Sequence, residues 1–65
     1  MSRLIDLLDL ADDMDLPRAD VVRILRQTGQ VPMVRTNDRR WLIESTDVFK
    51  AERVVRDRLR DELGQ

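Results

Sequence analysis

The 65 residues include no cysteine, no histidine and no tyrosine, and only two glycines and two prolines. Without cysteine there is no disulfide, no thiolate zinc site and no thiol nucleophile. Without histidine the usual general base and metal ligand is missing too. Gly29 and Gly64 stand apart, so no glycine-rich loop is present to cradle a phosphate. The hydroxyls of Ser2, Ser45 and three threonines have no base at a catalytic spacing. The expectation is a non-enzyme with no cofactor and no metal. No apolar run approaches the ~20 residues that cross a bilayer, and the first residues lack a signal-peptide layout, so a cytoplasmic location without a membrane partner is expected. A chain this short buries only about 60% of the surface its unfolded form exposes. One small domain over residues 1–65 is therefore expected, helped by good caps, a second copy or a ligand.

What the chain has in abundance is arginine: eleven against a single lysine. The net charge is only −1, but the distribution is uneven. Residues 1–17 carry one Arg and five Asp, residues 18–41 six Arg and two Asp, and residues 42–65 five basic and six acidic groups. A ligand that touches one face responds to that face's field, and the middle third is basic. High-GC coding enriches arginine without physical meaning, so its placement says more than its number.

Asp6-Leu7-Leu8-Asp9 has the layout of a helix start. Asp6 is the cap, Asp9 its acidic partner three residues on, and Ile5 with Leu10 a hydrophobic staple. Leu4 and Ile5 before it suit an extended edge segment. Leu7, Leu10, Ala11 and Met14 form the apolar stripe. Asp6, Asp9, Asp12 and Asp13 lie along a helix rather than around a glycine-bearing loop, so capping and solvation are favoured over a cation site. Asp15-Leu16-Pro17 breaks the helix, with Asp15 in the left-handed position. Pro17 then opens the first turn of a second helix, and Gly29 ends it. Val21, Ile24, Leu25 and Thr28 gather on one arc, with Ala19, Arg23 and Arg26 opposite. Two short helices with a tight turn, the second amphipathic and basic, match the helix-turn-helix pattern.

Met33–Arg35 and Arg40–Ile43 are β-prone runs around Thr36-Asn37-Asp38-Arg39, and Asn and Asp tolerate left-handed angles, so a hairpin is expected. Alternation places Val34 inward near Trp41 or Ile43, and Arg35 and Arg40 outward. Trp41, one of two aromatics with Phe49, either anchors the core or stacks on a base, the core being favoured. Ser45 is expected to cap a last helix from Thr46 to about Leu63, ended by Gly64. Val48, Ala51, Val55 and Leu59 form its stripe, extended by Leu63. Residues 54–65 read as a helical extension. Val54, Val55, Leu59 and Leu63 then form either a docking surface or part of a solvated helix laced by ion pairs.

The fold class is therefore mostly α with a small β-hairpin, a winged helix-turn-helix with an extended C-terminal helix. Arginine forks match phosphates and guanine edges. The expected DNA-binding residues are Arg18, Ala19, Arg23, Arg26 and Gln27 on the helix, and Arg35, Asn37, Arg39 and Arg40 on the hairpin. Helix in the major groove and hairpin tip in the minor groove, with Arg39 inserted, is the expected division.

The order of these elements resembles the small winged-helix excisionases, or recombination directionality factors, of temperate phages that use tyrosine integrases. The resemblance runs from about Ile5 to Lys50. It is carried by Ile5-Asp6, Leu10-Ala11, Pro17-Arg18, Val22-Arg23, Leu25-Arg26, Val31-Pro32, Arg35, Asp38-Arg39, Trp41 and Glu44-Ser45. It implies basic contacts at Arg23, Arg26, Arg35 and Arg39. It also implies double-stranded DNA of an attachment-site region as ligand, copies assembling along that DNA and bending it, and a tyrosine integrase as partner within a bacterial host cell. A glycine in the helix-helix turn and one at the wing tip are both missing. The same scaffold serves MerR-like and other small phage regulators, which makes a transcriptional regulator the alternative. A helical protein-interaction module with solubilising arginines is the third.

Overall fold

Asp6 is where strand becomes helix. From an extended backbone (φ −70°, ψ 135°) its carboxylate accepts the Leu8 N–H at 2.9 Å, satisfying one of the amides that a helix start leaves free. The structure, a computed structural model, describes residues 3–64; Met1, Ser2 and Gln65 lie outside the described residues. Strand β1 (Leu4–Asp6) precedes the cap and helix α1 (Leu7–Met14) follows it. Asp15 ends α1 in the left-handed region, φ 58°, in line with its place in the sequence. Its N–H donates to the Asp12 carbonyl at 3.1 Å and the Leu16 N–H to the Ala11 carbonyl at 2.9 Å. This is the paired closure that usually places glycine where Asp15 stands.

Helix α2 (Arg18–Thr28) starts one residue after Pro17, which is the cap rather than a first-turn residue. The Pro17 carbonyl accepts from Asp20 and Val21. Gly29, at φ 63°, closes the helix with its N–H on the Leu25 carbonyl. Val21, Ile24 and Leu25 are buried, as the wheel indicates, and Thr28 is half-buried.

Strands β2 (Val34–Arg35) and β3 (Trp41–Glu44) form the hairpin, and β1 pairs antiparallel with the free side of β3, giving the order β1-β3-β2. The sheet is thus larger than a hairpin. Ile5 faces Ile43, Val34 faces Leu42, and Arg35 faces Trp41. This register keeps the expected alternation on β3, with Trp41 and Ile43 inward and Arg40 outward, and reverses it on β2. Ile43 is buried and Trp41 packs on the core, so Arg35, opposite Trp41, shares their side. Val34 goes to the other face and stays 49% exposed.

The turn closes through the Arg39 N–H on the Thr36 carbonyl and the Thr36 N–H on the Arg40 carbonyl. Thr36 also bonds Asp38 through its hydroxyl. The left-handed residue is Arg39, φ 67°, not Asn37 or Asp38. A three-residue loop puts its left-handed angle last.

Ser45–Asp47 form a short 3-10 turn before helix α3 (Val48–Leu63), which begins two residues later than expected. Ser45 does not cap it. Its hydroxyl accepts the Arg3 N–H and its own N–H donates to the Arg3 carbonyl, so it extends the β1–β3 edge instead.

Leu7, Leu10, Ala11, Val21, Ile24, Leu25, Val31, Ile43, Ala51, Val54 and Val55 make one core between the helices and one sheet face. This corrects the expectation of a docking face that includes Val54 and Val55, on a helical extension beginning at residue 54. The core claims both, because α1, α2 and one face of a short sheet leave an apolar side that α3 covers. Leu59 packs against the core, and Leu63 alone of the four stays out, 86% exposed. Phe49 is 82% exposed, leaving Trp41 as the aromatic that contributes to the interior. Among the described residues no helix is long and apolar enough to cross a membrane.

Candidate nucleic-acid interface

Burying Val21, Ile24 and Leu25 fixes the rotation of α2, so the opposite side has to face outward. Arg18, Ala19, Arg26 and Gln27 are exposed there, and Arg23 and Val22 are half-exposed. The hairpin sits beside this side of the helix. Arg18 Nη2 donates to the Arg39 carbonyl at 2.9 Å, tying the start of α2 to the hairpin tip.

Further along, the guanidinium carbons of Arg26 and Arg35 stand over the Trp41 ring, 5.2 and 5.5 Å from its centroid. Each such contact contributes about 0.5–1 kcal/mol at an exposed site. The two elements are therefore joined at two points. Between them runs a shallow groove lined by Arg18, Ala19, Val22, Arg23, Arg26 and Trp41. Its floor is apolar and its rim is cationic.

The six central arginines are not equivalent. Arg23 Nη1 and Nη2 donate to Glu62 Oε1 and Oε2 at 3.0 and 3.4 Å. Arg40 Nε lies 3.2 Å from Asp38 and 3.9 Å from Asp6. Arg18, Arg26, Arg35 and Arg39 form no ion pair among the described residues. The shared hydrogen bonds push the Arg23 guanidinium further above its ordinary value and hold the Glu62 carboxyl below the usual carboxylate range. The Asp38 carboxyl is also lowered, first by the Thr36 hydroxyl and then by its own backbone N–H and the charge of Arg40.

Comparison with known proteins finds no matching family model, curated protein or solved structure. The geometry has to carry the functional reading.

Of the residues singled out from the sequence, the structure joins Arg18, Ala19, Arg23, Arg26, Arg35 and Arg39 around one groove and its margins. Arg40 flanks them, with its charge compensated. Gln27 and Asn37 are exposed on α2 and in the turn, outside the groove lining. One residue of the site, Val22, escapes the sequence reading, and Trp41, read there as a core anchor, takes a second role. Val22 lies on the margin of the buried arc, where a wheel places it ambiguously. Trp41 acts as core support and as the platform for two arginines, a dual position that alternation alone does not reveal. Among the described residues no group of three or more acidic side chains is placed to hold a metal ion.

Proposed function

We propose that this chain is a winged helix-turn-helix protein that grips double-stranded DNA without catalysis, α2 being the reading helix and the β2–β3 hairpin the wing. A single observation supports this most: four arginines without carboxylate partners among the described residues share one surface made by both elements, braced through Arg18–Arg39 and through Trp41. Bracing lowers the ordering cost when a phosphate or a base edge binds. The guanidinium fork then supplies two-bond recognition. Arg39 at the tip is the candidate for the minor groove. Ala19 and Val22 offer close apolar approach in the major groove, where a thymine methyl is the apolar feature.

The resemblance to excisionases extends the proposal. Copies would assemble along an attachment-site region, bend it, and direct a tyrosine integrase toward excision within the cytoplasm of a bacterial host. Footprinting on such a region tests this part. Several adjacent protected sites together with a changed direction of recombination support it. One protected promoter operator with no effect on recombination moves the assignment to a transcriptional regulator.

The DNA-binding claim has a separate test in salt. Four engaged arginines give a slope of log affinity on log salt of about −3 to −4. A slope near zero, or no duplex binding at low salt, leaves only a protein-interaction module.

A further inference from the structure

The last turn of α3 reaches back to the reading helix. Glu62 holds Arg23 through both guanidinium nitrogens, at 3.0 and 3.4 Å, across 39 residues of chain. Arg58, one turn earlier on α3, stands 3.8 Å from the same carboxylate. Arg23 lines the groove beside Arg18, Ala19 and Arg26, so the carboxylate occupies the fork that a phosphate would need. A carboxylate and a phosphate offer arginine the same two-oxygen geometry. The two ligands therefore exclude each other at this fork.

We propose that Glu62 is an intramolecular phosphate mimic, a latch that the C-terminal helix places on Arg23 and that DNA must displace. The inference rests on the DNA-binding reading and adds to it a regulation of that same site. Both side chains keep about 40% of their surface exposed. Such a pair is weak and exchanges readily, so the latch tunes affinity and does not block the groove. It also gives the part of α3 beyond Leu59 a role that the core does not require.

The test is a set of full-length variants titrated against a duplex by fluorescence anisotropy. Each variant is first checked by circular dichroism. Glu62→Gln removes the competing charge and should tighten binding up to about five-fold. Its salt slope should stay close to that of wild type, because Arg23 meets phosphate in both complexes once the latch is displaced. Asp61→Asn makes the same change in net charge beside it, at a residue with no ion pair among the described residues, and should change affinity less. In an Arg23→Gln background, Glu62→Gln should do no more than Asp61→Asn does, because the partner it releases is gone and only the change in net charge remains.

Equal effects of Glu62→Gln and Asp61→Asn, or an undiminished Glu62→Gln effect without Arg23, overturn the latch and leave DNA binding standing. Loss of binding in Arg26→Gln and Arg39→Gln together with an inert Glu62→Gln likewise overturns the latch alone. Absence of duplex binding in wild type and Glu62→Gln alike overturns the DNA-binding reading as well.

Discussion

Two stretches of this molecule are rich in arginine, and they behave differently. On α2 and the hairpin, six arginines share the surface with two aspartates, and four of the six have no carboxylate partner among the described residues. On α3, Lys50, Arg53, Arg56, Arg58 and Arg60 alternate with Glu52, Asp57, Asp61 and Glu62. Among the described residues only Arg58–Glu62 closes as an ion pair within that helix. The near-balance of sign along α3 cancels its field at a distance, whereas the first surface keeps a net field and adds an aromatic platform. Arrangement, more than number, separates a surface able to grip a polyanion from one that is merely solvated.

The largest expected effect probes where α3 stops being core. Val55→Asp places a charge among fully buried neighbours and should cost about 3–5 kcal/mol, enough to unfold so small a domain. Leu63→Asp, on the same helix but exposed, should stay within about 0.5 kcal/mol. Thermal unfolding followed by circular dichroism reads both. A stable Val55→Asp would return that residue to a docking face.

Next comes the contrast between the two arginine surfaces. Arg26→Ala should weaken duplex binding by about 1–3 kcal/mol if it meets a base edge, with a smaller loss for a phosphate contact. Arg56→Ala and Arg60→Ala should leave the affinity within about two-fold. Equal losses on both surfaces would erase the distinction.

A finer comparison sets stability against binding at the hairpin tip. Arg39 holds a left-handed angle, φ 67°, at a position that glycine fills without strain. Arg39→Gly should stabilise the fold by up to about 1 kcal/mol while weakening DNA binding. Asp15→Gly, at φ 58°, should stabilise to a similar extent with binding unchanged. A destabilised Arg39→Gly, or one that binds as wild type does, removes the case that strain is kept there to hold a cation.

The smallest effect concerns acid. The folded-state carboxyls of Glu62 and Asp38 sit below their ordinary values. Their contribution is present above the unfolded-state value and fades as pH falls through the lowered folded one. Glu62→Gln and Asp38→Asn together should therefore flatten the loss of stability over that acidic window and leave its pH dependence near neutrality unchanged. Chemical denaturation at a series of pH values checks it.

The local features came straight from the residues. Asp6 as cap, Asp15 in the left-handed turn, Gly29 as helix stop, and the inner arc Val21, Ile24 and Leu25 each depend on interactions within a few residues, so the chain alone determines them. The exposed arginine side of α2 follows from the same arc. Tertiary contact decided the rest. Which face of β2 is inward depends on its register with β3, and that pairing put Arg35 beside Trp41 and turned Val34 out. Ser45 gave up its cap because β1 offered a backbone partner. Val54 and Val55 went inside because a small core needed their volume. The Arg23–Glu62 contact bridges 39 residues and leaves no periodic trace in the sequence. Local hydrogen bonds and helical period are short-range and legible, whereas strand register, core volume and ion pairing across the fold exist only once distant segments have met.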